Sequence, residues 1–220
     1  MATQLAHSYS LITPWFHGTD SANFSAWQIP APPKDEITPP SPAVFFTQDR
    51  GYAGGAGKNL CTAMLMSTAN VLVPASGGTD SENLRNKLRS DPEYGFCVHL
   101  SSQQLWEDAW KTGDVMRLHY NSTQAPQSLL SAKATLVGAK LHSAGYKSVP
   151  QDALMKVTMQ YITREWIDRI SGSAKQLGHH ALIGCEVDRW YGGATQPMPP
   201  IARSWMALLD TSAVSPPVWI

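Results

Sequence analysis

Residues 151–187 read QDALMKVTMQYITREWIDRISGSAKQLGHHALIGCEV. Within this stretch Met155, Met159, Ile162, Trp166 and Ile170 recur at steps of 4, 3, 4 and 4. That spacing lines one face of an α-helix, while Arg164, Glu165, Asp168 and Arg169 fall mostly elsewhere on the wheel. The helix is expected to span Gln151–Gln176 and to bury its stripe in a core. Gly178 stands where a helix stop belongs. The apolar run ALIGCEV at 181–187 then reads as a strand, and SWMALLD at 204–210 as another, with a Gly- and Pro-rich loop at 188–202 between them.

Strands are also expected on the N-terminal side. SLITPWFH at 10–17 and AVFFT at 43–47 are short, aromatic and β-branched, and LCTAMLMSTANVLVP at 60–74 suits one or two buried strands. Two helices follow. One covers 82–89, capped by Asp80 or Ser81. The other covers 105–111, started by a capping box of Ser101 and Gln104 and stopped at Gly113. FCVHL at 96–100 reads as a short strand between them. Strands at both ends, helices grouped in the middle and no βαβ alternation predict an α+β fold in a single domain over residues 1–220. No repeat with a period of a few tens of residues interrupts it.

The segment 30–42, PAPPKDEITPPSP, places six prolines in thirteen residues. Such a run cannot be helix or interior strand and is extended loop. It is read as a surface connection between two strands, or as a wall or lid beside a site.

Composition excludes several classes of function. Of 220 residues 17 are basic and 17 acidic, so the formal charge is zero. A protein that holds nucleic acid through its phosphates carries a basic excess, so no nucleic-acid partner is expected. With 43% hydrophobic residues, eight Trp, seven Tyr and five Phe, the chain can build a sizeable core, and disorder of the whole is excluded. No run reaches the length of a membrane span, and residues 1–13 have neither a basic nor an apolar signal region. The expectation is a soluble monomer, cytosolic or delivered by a specialised secretion system. Cys61, Cys97 and Cys185 are odd in number and widely spaced, which reads as buried free thiols.

The usual short motifs are missing. There is no GxGxxG, no GxSxG and no P-loop. His179 and His180 are adjacent and so point apart on any regular element, while His7, His99, His119 and His142 lack partners at the spacing of a zinc helix, so no metal site is expected. What remains is FHGTD at 16–20 paired with VFFTQD at 44–49 and followed by Tyr52 and Ala53. Glycine just after His17 permits close approach of a ligand to the backbone. Phe45 or Phe46 offers a flat ring face nearby, a fitting way to hold a nicotinamide.

These segments resemble the ADP-ribosyltransferase superfamily, in the histidine branch shared by diphtheria-type toxins and poly-ADP-ribose polymerases. The resemblance rests on the HGT strand, the FFT strand and the alanine-containing helix after it. It rests equally on a C-terminal half in which LGHHALI at 177–183, a loop and WMALLD at 205–210 are similar to the closing strands of bacterial and phage members. It touches roughly residues 12–60 and 150–215, and it implies a split β-sandwich.

For activity it implies transfer of ADP-ribose from NAD to a protein side chain with release of nicotinamide. His17 would bind the nicotinamide ribose and Gly18 the carboxamide. Thr19, Phe45, Thr47 and Tyr52 would complete the NAD site, with Phe45 in a place commonly held by tyrosine. The family's glutamate opens its closing strand, where this chain has Arg203 or Ser204. Glu186 and Asp210, with Asp188 behind them, are the carboxylates that could replace it in stabilising an oxocarbenium-like transition state. The acceptor would be a protein, such as ubiquitin modified on a threonine, docked by loops that include Trp190, Tyr191 and Met198. Two other readings stay open: a module of the same fold that binds NAD or a partner without catalysis, and a carbohydrate- or peptide-binding domain using aromatic loops.

Overall fold

The structure is a computed structural model that describes residues 12–21, 23–31, 33, 35–38, 40–74, 78–99, 126–188 and 201–220, with the backbone alone at 98, 99, 163, 185–188 and 201–203. The described elements are β1 (Trp15–Thr19), β2 (Val44–Thr47), α1 (Arg50–Gly54), β3 (Asn59–Ala63), β4 (Val71–Leu72), α2 (Gly78–Arg89), α3 (Gly95–His99), α4 (Gln127–Ser143), α5 (Gln151–Gln176), β5 (Ala181–Asp188), β6 (Ile201–Leu208) and β7 (Val218–Trp219). The strands form one mixed sheet in the order β4-β5-β6-β2-β1-β3-β7, in which β4 and β5 run parallel and the other neighbours antiparallel. Helices and a mixed sheet make the chain α+β.

The α5 stripe is buried as its spacing predicts: Met159, Ile162, Trp166 and Ile170 are each at most 5% exposed, and Met155 packs at their edge. This face closes over one side of the sheet, against Leu182, Trp205 and Ala207, and meets α2 through Leu84 and Leu88. Gly178 ends the helix with φ +87°, a backbone conformation that favours glycine. The other side of the sheet carries a second core of Trp15, Phe46, Cys61, Ile183, Met206 and Leu208. Side chains alternate between the two sides along each strand, so neighbours in sequence belong to different cores. Gly184, within β5, is required by its cross-strand neighbour: a Cβ there would stand 1.9 Å from the Trp205 ring.

Three local expectations are corrected. FCVHL is not a strand, because the Asp91 carboxylate accepts from the Glu93 and Tyr94 amides at 2.9 and 2.8 Å and starts a turn that runs into α3. α2 begins at Gly78, ahead of the expected cap. Ser81 lies inside it and donates its hydroxyl to the Pro74 carbonyl at 3.1 Å. β6 begins at Ile201, three residues before the expected start.

Helix α4 is an addition. Its apolar residues do not gather in a clean stripe, since Leu129, Leu130, Val137 and Leu141 are buried while Leu136 is 39% exposed. Packing and a partly buried ion network hold it on α5: Lys133 Nζ lies 2.6 Å from Glu165 Oε2 and 2.8 Å from Glu93 Oε1. The segment expected to be helix at 105–111, the loop with Trp190, Tyr191 and Met198, and Cys185 and Glu186 as side chains lie outside the described parts.

The proline-rich connection is closed at its neck by two backbone hydrogen bonds between Ala31 and Ser41. It leans on α4, where Lys140 Nζ donates to the Ile37 carbonyl at 3.1 Å and Ile37 packs with Val137, Leu141 and Tyr161. Among the described residues no helix is long and apolar enough to cross a membrane.

Candidate functional site

The strands that carry the HGT and FFT segments are neighbours, and β6 lies on the far side of β2. β1 and β2 are joined by a single rung, Phe16↔Thr47. By contrast β1 pairs with β3 along its whole length and β2 with β6 along all of its own. The seam between β1 and β2 therefore carries no ladder rung beyond Phe16, and His17 and Gly18 stand beside it.

His17 bridges this seam with its side chain: Nδ1 lies 2.8 Å from the Phe45 carbonyl oxygen. A carbonyl can only accept, so Nδ1 carries the proton. Burial holds the imidazole below the ordinary histidine value, against the opposing pull of that carbonyl. A neutral ring protonated at Nδ1 leaves Nε2 as an acceptor, suited to a hydroxyl group. Two aromatic rings wall the imidazole, Trp27 edge-on at 5.6 Å and Phe46 tilted at 5.5 Å between centroids. Trp27 is itself held by its indole N–H, which donates to the Ser215 carbonyl at 2.9 Å, and by Phe24, which also stacks edge-on against Trp219. The C-terminal strand thus supports the wall of the histidine pocket. Nothing at Trp27 in the sequence marks this role, because it depends on partners about 190 residues away.

Alternation divides the other expected site residues. Phe45 lies in the helix-covered core, its ring under the Arg164 guanidinium at 4.6 Å, so Phe46 and not Phe45 is the phenylalanine beside His17. The Cβ direction of Gly18 is taken by protein: a methyl group there would stand 1.8 Å from the Ala53 carbonyl oxygen of α1. Gly57 is pressed against Thr19 in the same way, 2.2 Å from its carbonyl carbon. These glycines let the GYAGGAG turn lie on the end of β1. Gly18→Ala is therefore expected to displace α1 and cost about 1–3 kcal/mol, read as a lowered Tm. An unchanged Tm would remove this packing role.

Thr19 accepts from the Ser21 amide at 3.1 Å. Thr47 donates its hydroxyl to the Ser204 carbonyl at 2.9 Å, so it is engaged in tying β2 to β6. Tyr52 is 38% exposed in the first turn of α1, where its amide is capped by Asp49 at 2.9 Å.

Glu186 is paired in register with Arg203, and its side chain lies outside the described parts. Asp210 is exposed and caps a 3-10 turn, accepting from the Ser212 amide at 2.9 Å and from its hydroxyl at 2.8 Å. Those bonds hold its carboxyl below the usual range, with smaller help from His180 and Lys175.

Cys61 sits opposite His17 on β3, fully buried. Burial pushes its thiol up to about 11, and that of Cys97 to about 12. Neither is expected to react with a maleimide in the native protein at pH 8, and both should react after denaturation. Native labelling of Cys61 would contradict the burial.

No family model, no curated protein and no solved structure matches the chain.

Proposed function

We propose that the chain is a protein mono-ADP-ribosyltransferase, using NAD as co-substrate at the β1–β2 seam. One observation carries the reading: the HGT and FFT segments are adjacent strands whose ladder stops after one rung, and His17 bridges them there with its Nδ1 proton fixed by Phe45. Its Nε2 would accept from a hydroxyl of the nicotinamide ribose. The bond from ribose C1′ to the nicotinamide nitrogen breaks, and its electron pair leaves with neutral nicotinamide. An acceptor oxygen then bonds C1′ and loses its proton to solvent. Water-excluding walls such as Trp27 and Phe46 favour this cation-forming step by replacing solvent with fixed groups.

A second reading has a specific observation behind it. β6 opens with Ile201, Ala202, Arg203 and Ser204, and Asp210 is engaged as the cap of a 3-10 turn. This favours a module that binds NAD, or a partner, without turning NAD over.

Incubation of the purified protein with biotinylated NAD and a eukaryotic cell lysate separates the two readings. A discrete labelled band, ubiquitin-sized or larger, with free nicotinamide supports transfer. NAD binding by calorimetry with no band and no nicotinamide supports the binding module. No NAD binding at all overturns the transferase reading and leaves the second reading only as a partner-binding module.

A further inference from the structure

We propose that Arg164 and Asp168, on the helix side of the sheet, are positioning residues for His17 on the opposite side, acting through Phe45 and set by Ser41 of the proline-rich loop. The contacts form one chain. Ser41 Oγ, 2% exposed as a residue, donates to Asp168 Oδ1 at 2.7 Å and accepts from the Ala43 amide at 3.3 Å. Asp168 Oδ1 lies 3.5 Å from Arg164 Nε one helical turn away. The Arg164 guanidinium carbon stands 4.6 Å over the Phe45 ring, and the Phe45 carbonyl receives the His17 Nδ1 proton at 2.8 Å.

Phe45 transmits because its ring and its carbonyl belong to different parts of the fold. The ring is packed in the helix-side core. The carbonyl is turned into the seam, where β1 and β2 share no rung after Phe16↔Thr47. On its other edge Phe45 is paired with Ala207 of β6, so the carbonyl reaches His17 from a strand that is seated against the helices through the Phe45 ring. A planar cation over the ring, fixed by a carboxylate that is itself hydrogen-bonded, seats it in one orientation. The proline-rich loop gains a role here: its closed neck presents Ser41 to Asp168.

The contact chain stands on geometry alone, whereas its catalytic consequence rests on the NAD reading. The test uses the full chain with 15N-labelled histidine. Long-range proton–nitrogen spectra report which His17 nitrogen is protonated, and nicotinamide release gives kcat and KM. Arg164→Met is expected to move the His17 nitrogens from the Nδ1–H pattern toward the mixed pattern of a free imidazole. It should also lower kcat about tenfold to a hundredfold with little change in KM, as for a misplaced catalytic group. Arg164→Lys keeps a cation over the ring and should retain the native pattern. Ser41→Ala, a smaller change that keeps the fold if Arg164→Met does not, should shift the spectrum in the same direction. An unchanged His17 spectrum in folded Arg164→Met and Ser41→Ala proteins overturns the proposal. A shifted spectrum, with no nicotinamide released even by the native protein, upholds the contact chain and removes the transferase reading instead.

Discussion

His17→Ala is expected to lower nicotinamide release at least about a hundredfold while the protein stays folded, because it deletes an acceptor used in the transition state. The geometry makes the change specific. Nδ1 is engaged with Phe45, so the group lost to the ligand is Nε2, and the rings of Trp27 and Phe46 remain to preserve the pocket. Some stability goes too, since the Phe45 carbonyl loses its donor and a cavity opens between the two rings. Circular dichroism and Tm measured beside the rate separate the effects. A folded variant with a native rate would remove His17 from the site.

The largest loss of stability is expected from Trp166→Ala. Trp166 is 1% exposed at the centre of the α5 stripe, with the Tyr94 ring 6.1 Å away. Deleting an indole from such a place costs about 3–5 kcal/mol. At about 2–4 °C per kcal/mol for a chain of this size, Tm should fall by about 6–20 °C. The indole N–H has no hydrogen-bond acceptor among the described residues, so Trp166→Phe removes an unsatisfied donor as well as some volume. It should cost clearly less than the alanine change. Equal losses for the two variants would mean that the indole is not packed as described.

The two sides of the sheet show where sequence reading stops. Period-two alternation says that Phe45 and Phe46 point in opposite directions, but not which of them meets His17. That is decided by β2 lying between β1 and β6, with Phe46 opposite Met206 and in the core of Trp15 and Ile183. Gly18 is another case. A glycine after a strand histidine is equally consistent with a ligand and with a helix pressed on the backbone, and only the position of α1 shows that a helix occupies the Cβ direction. The run FCVHL misleads for a local reason: Asp91, four residues before Gly95, starts a helical turn that outweighs the strand preference of a five-residue segment.

By itself the sequence determined the elements whose signals are local and repeated. The α5 stripe, its stop at Gly178, the existence of strands around His17, Phe45 and Ile183, and the proline-rich loop each follow from periodicity or backbone restriction within a few residues, although the first strand runs over Trp15–Thr19 and not over 10–17. It also determined the balance of charge and the types of residue available for chemistry. The tertiary structure alone decided which of those residues meet. The His17–Phe45 bond, the Trp27 wall tied to Ser215, and the Ser41–Asp168 contact link positions 28, 188 and 127 residues apart. Such pairings are set by strand register and by the packing of two cores on one sheet, and no local pattern encodes either.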